Sequence, residues 1–354
     1  MQIMRWRQLL KEVYRHECEV LNIGESRRNS VDGVISVSGH IDFFNKLCRF
    51  ARRGYILHLI TNGHGWKSWL SALACGLAGV LNKKRTVLVF GSGFAPQYIR
   101  NANIVSRFLI ELTIGMAGKI ICRNEAMRDA LASKGAQQEK VIILEGFLGI
   151  ASSIEAACSE GLKAFVETHS PVLGATVSVP HSGALEPEYG IDEAVEALHV
   201  LRQVYPRLGL IVIGADALAG SRIYGIEMVG DHVLFTGPLP HGAVLNVMRK
   251  LTVFLRPTYT DGDSSSVREA LAVGTPVVAS NTDYRPKGVI TFRKGDVADL
   301  TAKVRHTIDH LDQAVLNLKR LGHSDNAGRL LNIYKELTFS CNGGTSKVTG
   351  SDCE

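Results

Sequence analysis

The sequence predicts an α/β fold made of two doubly wound, parallel-sheet domains. Short apolar strand patterns alternate with amphipathic helix patterns along most of the 354 residues, and this alternation is typical of parallel sheets covered by helices on both faces. A chain of this length corresponds to two domains of roughly 150 residues each. The composition, 45% hydrophobic and 21% charged, is that of a globular protein and excludes collagen-like, disordered and multi-span membrane classes.

The first sixteen residues predict a short amphipathic helix, because Ile3, Trp6, Leu9 and Val13 recur at a spacing of three to four. Two interpretations are open. The helix packs on the first domain, which we favour, or it lies in a membrane interface as an anchor. We expect neither a secretory leader nor a membrane span, since no apolar run reaches the roughly 18 to 20 residues that a span requires.

Strands and helices alternate between residues 19 and 144. Continuous apolar runs predict the strands, and apolar residues three to four apart predict the helices. The predicted strands are 20–23, 33–37, 55–60, 86–90, 119–122 and 141–144, and the predicted helices are 42–51, 67–81, 104–117 and 125–134. We expect a first sheet in a domain that runs from 1 to 168.

A second alternating block follows a polar, less regular stretch at about 150–180, which holds one helix pattern at 160–167. The predicted helices are 190–204, 242–250, 265–273 and 299–310, and the predicted strands are 210–214, 232–235, 253–255 and 276–280. We expect a second domain at 169–322, a helix at 323–339 that returns toward the first domain, and a disordered tail at 340–354. In such sheets ligands bind at the carboxyl ends of the strands, so a cleft between the domains is the expected site.

The net charge and the cysteine content limit the classes of binding partner and of cysteine chemistry that the sequence allows. The net charge of +6 indicates an anionic ligand or a membrane surface. Nucleic acid is disfavoured, because 34 acidic residues accompany the 40 basic ones and no nucleic-acid-reading motif is present. The seven cysteines are scattered and include no C-x-x-C pair, so we expect reduced thiols in a cytosol rather than disulfides or a zinc site.

The stretch 255–280, LRPTYTDGDSSSVREALAVGTPVVAS, carries the most chemistry. A strand is followed by an acidic loop and by serines that start a helix. Ser264 or Ser265 is a natural N-cap, and the free N–H groups of a first helical turn can hold an anion. Two carboxylates and two guanidiniums flank this position: Asp261, Asp263, Arg256 and Arg268. These residues predict a phosphate-sized site at a helix N-terminus.

The same stretch resembles the donor-site signature of retaining GT-B glycosyltransferases of the family 4 type (glycosyl transferases group 1). That signature has a carboxylate, a glycine-rich loop, a glutamate after seven further residues, and an Ala-x-x-x-Gly-x-Pro-Val-Val-Ala run, which Asp261, Glu269 and residues 270–279 match. Residues 119–147 and 190–214 resemble further segments of the family, in the right order. The resemblance implies a GT-B fold, with two Rossmann-like domains facing a cleft.

The resemblance also implies roles for the donor-site residues. Glu269 would accept hydrogen bonds from the ribose hydroxyls of a nucleotide, because a carboxylate offers two acceptor oxygens. Asp261 would bind the transferred sugar at the catalytic centre, and Gly262 with the backbone of Ser264 and Ser265 would cradle the sugar or the pyrophosphate. The alternative for Glu269 is a glutamate near a helix start that the helix dipole favours.

The loop that enters the second domain departs from the family. Its usual Arg and Lys, which neutralise the diphosphate, are replaced by Ala184 and Tyr189. Since losing one preorganised donor costs about 10²–10³ in rate, we expect the charge to come from elsewhere. The candidates are Arg256 and Arg268 as catalytic cations and Arg285 as a donor-binding cation. The alternative for Arg268 is a helix cation paired with Asp261 or Asp263.

The first domain is expected to hold the acceptor. Its run VLVFGSGF resembles the family's strand that ends in His-Gly, with Phe90 at the histidine position. Gly91 and Gly93 would let the backbone approach the donor. His40 and His64 follow predicted strands in glycine-containing loops; they are candidates to orient the acceptor hydroxyl, with mere loop placement as the alternative.

The resemblance therefore implies a hexosyltransferase-type glycosyltransferase, cytoplasmic and peripheral at the inner membrane face. It would move a sugar, with retention, from a nucleotide-diphosphate sugar to a glycan or lipid-linked acceptor. We interpret Asp261-Gly262-Asp263 as sugar-binding and expect no metal or other cofactor. One alternative is a non-catalytic sugar-nucleotide-binding partner protein, which the missing Arg and Lys favour. Another is an NAD-dependent oxidoreductase, which would need a complete glycine fingerprint.

Overall fold

The chain divides into two units. The computed structural model describes residues 2–12, 14–23, 33–83, 85–147, 159–178, 186–216, 230–261, 263–282, 284–321 and 325–339. The first unit consists of residues 3–91, 95–144 and the C-terminal helix from Ala327, and the second unit of residues 1–2, 92–94 and 145–326. Each contains parallel sheet and helices, so the predicted α/β class with two Rossmann-like domains is confirmed.

The first unit is built around a four-stranded parallel sheet. The strands are β1 (Val20–Asn22), β2 (Val34–Ser36), β3 (Leu57–Thr61), β4 (Thr86–Phe90), β5 (Lys119–Cys122) and β6 (Val141–Ile143), and the helices are α1 (Gln2–Glu12), α2 (His40–Arg52), α3 (Trp66–Val80), α4 (Ala95–Arg100), α5 (Ile104–Met116) and α6 (Glu125–Ala132). Strands β3 to β6 pair in chain order, and β1 pairs with β2 in a separate parallel sheet.

Packing at the carboxyl end of β3 explains a glycine in the loop that carries His64. The indole of Trp69 stacks on Phe90 with ring centroids 4.5 Å apart, and its Nε1 donates to the Gly63 carbonyl at 3.0 Å. Gly63 has φ +78°, and a Cβ there would lie 2.7 Å from the Phe90 ring. Only glycine meets both constraints without strain. The aromatic Phe90, at the family's histidine position, thus belongs to the core.

The second unit is built around a six-stranded parallel sheet. The strands are β7 (Val172–Thr176), β8 (Gly209–Ile213), β9 (Val233–Phe235), β10 (Val253–Arg256), β11 (Val277–Ser280) and β12 (Val289–Phe292), and the helices are α7 (Glu160–Thr168), α8 (Ile191–Arg202), α9 (His241–Lys250), α10 (Ser265–Ala272), α11 (Val297–Asp309) and α12 (Leu311–Lys319). The spatial order is β12-β11-β10-β7-β8-β9. The chain starts in the middle, proceeds to one edge and then to the other, which is the Rossmann order.

Helices cover both faces of this sheet, as β10 shows. Val253 and Leu255 point into a core shared with α8 and α11, whereas Phe254 points into a core shared with α7, α9 and α10. Because alternate residues of a strand face opposite sides, a strand buried on both faces reads as a continuous apolar run. That is the pattern from which the strand is predicted.

Sequence patterns do not predict β7, at the centre of the sheet. It lies in the stretch 150–180, whose pattern is irregular, and Gly174 interrupts its apolar run. The glycine is required by packing: a Cβ at Gly174 would lie 2.4 Å from Leu251. The short helix α4, the helix α12 and the edge strand β12 are likewise unpredicted, and the helix predicted at 323–339 corresponds to α13 (Asn326–Phe339).

The unit boundary differs from the predicted one at 168–169. Leu162 and Phe165 of α7 are buried in the same core as Met248 of the second unit, so this helix belongs to the second unit by its packing. The chain passes from one unit to the other at 144–145.

Helix α13 packs on the first unit. Tyr334 accepts a hydrogen bond from Trp6 Nε1 at 2.9 Å, and its hydroxyl shares a hydrogen bond with Nδ1 of His58. Burial lowers the pKa of His58 to about 4, so the imidazole is neutral at pH 7. Trp6 and Leu10 of α1 are buried, which favours the packed interpretation of this helix over a membrane anchor.

Two further sequence expectations meet the structure only in part. No helix in the portions of the chain that the structure describes is long and apolar enough to cross a bilayer. The predicted tail at 340–354 lies outside the described residues.

Candidate functional site

The candidate site lies at the carboxyl edge of the second sheet, between β7 and β10. Here the strand order reverses, and such a switch point is where open α/β sheets bind ligands. Arg256 is the last residue of β10, and its Nη1 donates to the carbonyl of Thr176, the last residue of β7, at 3.0 Å. One side chain thus spans the point where the two halves of the sheet diverge.

Asp261 is held between two guanidiniums at this edge. Its Oδ2 accepts from Arg256 Nε at 2.9 Å, from Arg285 Nη1 at 2.8 Å and from the Thr258 hydroxyl at 3.4 Å. The carboxylate side chain is 10% exposed and that of Arg285 is 5% exposed. All three donors use one oxygen, so the other oxygen, Oδ1, is not engaged by them.

The charges of this cluster do not cancel. Burial by itself would raise the pKa of Asp261, but the guanidiniums of Arg256 and Arg285 outweigh it and hold the pKa below its ordinary value. The carboxylate is therefore ionised at neutral pH. Two cations and one anion leave a net charge of +1 at the switch point.

Neighbouring backbone and side-chain groups hold the two arginines in place. Arg285 donates from Nε to the Ser280 carbonyl at 2.8 Å and from Nη2 to the Ser280 hydroxyl at 3.1 Å. The guanidinium of Arg256 lies 5.7 Å from the centre of the Tyr189 ring, within the range of a cation–π interaction. Tyr189, at a position where the family has a cation, thus contacts a cation at the end of β10. Ala184 and Gly262 lie outside the described residues.

Arg268 belongs to a separate buried network. It donates from Nε to Asp263, forms an ion pair with Glu145 at 2.8 Å and donates to the Tyr284 hydroxyl at 2.9 Å. The side chain of Asp263 is fully buried, and its Oδ2 accepts from the Gly146 amide at 2.8 Å. One guanidinium faces two carboxylates, so this network has a net charge of −1.

The network ties the signature loop to both ends of the second unit. Asn326 donates to Glu145 at 3.2 Å and to the Phe147 carbonyl at 2.9 Å. Glu145 begins the long segment of the unit and Asn326 ends it. The geometry therefore favours a structural role for Arg268 over the predicted catalytic one, which corresponds to the paired-cation alternative with Asp263 as the partner.

Glu269 lies one residue further along α10 and has a different partner. Its Oε1 is 2.8 Å from Nε2 of His241, the first residue of α9. The glutamate is 16% exposed and the histidine 28%, so both reach the surface of the sheet edge. His241 was missed from the sequence because it is 28 residues away. Its position after β9, at the start of α9 on the carboxyl edge of the sheet, is the signal that could have found it.

The start of α10 leaves its first amides without a side-chain cap from Ser264. Ser264 is the N-cap residue but its side chain makes no capping hydrogen bond; its hydroxyl lies 3.1 Å from that of Ser266. Ser265 begins the helix. The N–H groups of a first helical turn can hold an anion.

The predicted acceptor residues lie at the ends of strands and helices of the chain's first half. Gly91 follows β4 directly and its amide donates to the Thr61 carbonyl at 3.0 Å. Gly93, which is predicted to lie in the first domain, is among residues 92–94, which belong to the second unit. His40 begins α2, and His64 lies between β3 and α3. Both histidines are exposed. Within the described residues, no group of three His, Cys, Asp or Glu is arranged to hold a metal ion.

Comparison with known proteins bears on this geometry. Residues 176–331 match the family model of the Glycosyl transferases group 1. This segment contains Arg256, Asp261, Glu269 and Arg285, so the match supports the glycosyl transferases group 1 part of the resemblance over the part of the chain that carries the site.

Two curated relatives match a similar share of the chain. Glycogen synthase of Mycobacterium tuberculosis (strain ATCC 25618 / H37Rv) is 30% identical over 138 residues, which are 36% of this chain and 33% of the relative. The GDP-mannose-dependent alpha-(1-6)-phosphatidylinositol monomannoside mannosyltransferase of Mycolicibacterium smegmatis is 30% identical over 126 residues, 33% of each chain. The chain thus matches about a third of the length of these relatives.

Solved structures share the fold at low identity. Anabaena Alr3699/HepE in complex with UDP has a TM-score of 0.57 at 15% identity and covers 84% of this chain and 81% of its own. The S. aureus MnaA–UDP structure has a TM-score of 0.61 at 13% identity and covers 99% and 98%. At these identities the likeness concerns the fold alone, and the predicted GT-B class is confirmed.

Proposed function

We propose that the protein is a glycosyltransferase that moves a sugar from a nucleotide-diphosphate donor to a hydroxyl acceptor. The observation that carries the proposal is Asp261, held at the switch point by Arg256 and Arg285, whose side chains are 15% and 5% exposed, inside the segment that matches the glycosyl transferases group 1. Two of the structures that share the fold were solved with UDP, which supports a nucleotide ligand at this edge.

In the proposed donor complex, Oδ1 of Asp261 accepts a hydrogen bond from a sugar hydroxyl and Glu269 accepts from the ribose hydroxyls. The net positive charge around Arg256 and Arg285, together with the amides of Ser264 and Ser265, faces the diphosphate. Fixed charges and dipoles of this kind stabilise the charge that develops on a leaving group. Arg268 acts on this site only by holding Asp263 and the signature loop.

We propose a front-face reaction with retention of configuration. The bond between the sugar's anomeric carbon and the leaving phosphate breaks, and a bond to the acceptor oxygen forms on the same face. The acceptor's proton passes to a phosphate oxygen, which leaves as part of the nucleoside diphosphate. No metal enters this scheme. His40, His64, Gly91 and Gly93 are proposed to face the acceptor, a glycan or a lipid-linked glycan at the inner membrane face.

A binding screen tests the nucleotide class. Thermal unfolding is measured with UDP, GDP, ADP and TDP, and the cognate nucleotide is expected to stabilise the protein by about 2.7 kcal/mol at a hundredfold excess over its Kd. Transfer from the matching nucleotide sugars is then followed by release of the nucleoside diphosphate. Tight binding without turnover against a panel of glycan acceptors would contradict the transferase and favour a non-catalytic binding protein.

Glu269→Gln is expected to weaken nucleotide binding about tenfold to a hundredfold, because a hydrogen bond to a charged group is worth about 1.5–3 kcal/mol. Isothermal titration with the nucleotide from the screen measures the change. Glu160→Gln is the matched control: this glutamate lies on α7 with its side chain 89% exposed, and its replacement should leave the Kd unchanged. Equal Kd values for wild type and Glu269→Gln would remove Glu269 from the donor site.

His241→Ala is expected to weaken nucleotide binding about threefold to tenfold, since a typical hydrogen bond contributes about 0.5–1.5 kcal/mol. The loss reflects a carboxylate of Glu269 that is no longer held in one orientation. His241→Gln, whose amide can still donate, should recover most of the affinity in the same titration. A glutamine variant as weak as the alanine variant would argue against the hydrogen bond as the cause.

A further inference from the structure

Helices α3 and α5 of the first unit expose an unusual amount of apolar surface. On α5, Ile104 is 88% exposed, Val105 77% and Phe108 67%. We name the exposed apolar residues of the two helices the α3–α5 face: Trp66, Leu70, Leu77, Val80 and Leu81 on and just after α3, with Ile104, Val105 and Phe108 on α5. A cluster of large exposed apolar side chains on two neighbouring helices is typical of an interaction site rather than of ordinary surface.

The two helices lie side by side. A Cβ at Gly76 of α3 would be only 2.9 Å from the Cβ of Met116 on α5, so glycine lets them approach closely. On α3 the exposed positions 66, 70, 77 and 81 fall on one side of the helix at its natural period. Lys67 is the one charged residue between Trp66 and Val80, so the exposed apolar side of α3 is not interrupted by further charged side chains.

The surrounding sequence is strongly basic. Residues 43–110 hold ten of the 40 Lys and Arg residues of the chain and none of its 34 Asp and Glu residues. This stretch therefore carries +10, while the rest of the chain carries −4. Lys67, Arg100 and Arg107 are exposed, and Nζ of Lys67 lies 5.9 Å from the centre of the Trp66 ring. The acidic residues that flank the stretch, Asp42 and Glu111, pair with Lys46 at 2.5 Å and with Arg107 at 2.7 Å.

The positive charge and the apolar side chains together indicate which kind of partner binds the α3–α5 face. A second copy of the chain would bring two basic surfaces against each other, and like charges across an interface are unfavourable. A nucleic acid or a polyanionic glycan would use the cations but leave the α3–α5 face in water. An anionic lipid surface uses both: cations meet the headgroups, while aliphatic side chains enter the acyl boundary and an aromatic side chain such as Trp66 lies at the interface.

We propose that the α3–α5 face docks on an anionic phospholipid bilayer. The proposal names the surface through which the protein would reach a lipid-linked acceptor, but its evidence is independent of sugar transfer. It also assigns membrane contact to a different part of the first unit from α1, whose Trp6 is buried.

Vesicle flotation with the full chain tests the proposal. We expect the protein to float with phosphatidylcholine vesicles that contain 30% phosphatidylglycerol, at about 50 mM salt, and not with pure phosphatidylcholine. Binding should fall as salt rises, because screening weakens the attraction to the headgroups. Lys67→Glu combined with Arg100→Glu should weaken binding about tenfold or more, since each cation near an anionic surface contributes about fivefold.

A second variant tests the apolar part. Val105→Asp combined with Phe108→Asp should abolish flotation, whereas Val200→Asp with Val204→Asp, a matched pair of exposed valines in the second unit, should leave it intact. Far-UV circular dichroism and nucleotide binding show that each variant is folded. Since flotation uses no sugar nucleotide, its result stands whether or not transfer is observed.

Three outcomes would overturn the proposal. They are equal flotation with neutral vesicles, loss of binding in the Val200 and Val204 control, and no flotation at all. If absent flotation is accompanied by a dimer in sedimentation that Val105→Asp with Phe108→Asp makes monomeric, the face is an interface between copies instead.

Discussion

Replacing Asp261 with asparagine is expected to destabilise the second unit by about 3–5 kcal/mol, because removing one partner of a buried ion pair leaves charge uncompensated. Here two guanidiniums, of Arg256 and Arg285, lose the carboxylate between them. The amide group of the asparagine would in addition place its own N–H donors against the N–H donors of the two guanidiniums. Sugar transfer should be lost with it, while Asp261→Glu, which restores the charge on a longer side chain, should recover part of the stability.

The measurement must report on the second unit. All three tryptophans of the chain, at positions 6, 66 and 69, lie in the first unit, so tryptophan fluorescence is not a suitable probe. Urea denaturation followed by far-UV circular dichroism, with hydrogen exchange of peptides from 253–292, reports on β10, β11 and β12 instead. Asp312→Asn, at an exposed carboxylate of α12, is the control and should change stability by less than about 0.5 kcal/mol. Identical unfolding of Asp261→Asn and wild type would refute the buried cluster.

Asp261 also has a signature in pH dependence. Its pKa in the folded protein lies below the ordinary value of 3.8. The stability from this group is therefore fully present above about pH 4 and is lost as the pH falls through the lower pKa of the folded state. Asp261→Asn should remove that part of the acid destabilisation, so the two proteins should converge in stability at low pH.

Arg268→Met is expected to destabilise the second unit by a comparable amount, about 3–5 kcal/mol. The substitution keeps most of the side-chain volume but leaves Asp263, which is fully buried, and Glu145 without their shared cation. Lysine is a poor replacement, because its ammonium lacks the planar fork that serves Asp263 and Glu145 at once. Arg268→Met with Asp263→Asn should recover part of the loss, since one buried charge is then removed.

The Gly146 amide provides a local readout for Arg268. It donates to Asp263, so its hydrogen exchange should accelerate in Arg268→Met beyond the change at amides of β8. Arg305→Met is the matched control: the side chain of Arg305 is 57% exposed and pairs with Asp309 at 3.7 Å, and exposed pairs of this kind contribute about 0.5 kcal/mol. A similar loss of stability in both arginine variants would contradict the special position of Arg268.

Much of the fold follows from local pattern. Strands β4 and β5 match their predicted limits because they are continuous apolar runs between polar turns. β7 is not predicted, because Gly174 in this strand lies in close contact with Leu251, a residue that is distant in the sequence. The boundary between the units is not predicted either, because α7 belongs to the second unit through the core into which Leu162 and Phe165 pack.

The candidate site, too, is predicted in part from local sequence and depends in part on tertiary contacts. The side chains that gather near the end of β10 follow from local sequence, because Asp261, Asp263, Arg268 and Glu269 lie in the loop and the helix that come directly after that strand. Their partners follow from tertiary contacts. Arg285 and Arg256 share Asp261, Arg268 is committed to Asp263 and Glu145, and Glu269 meets His241. The reason is physical: spacing along a chain sets which groups reach the same edge of a sheet, but burial and the geometry of neighbouring strands set which charges pair and which remain for a ligand.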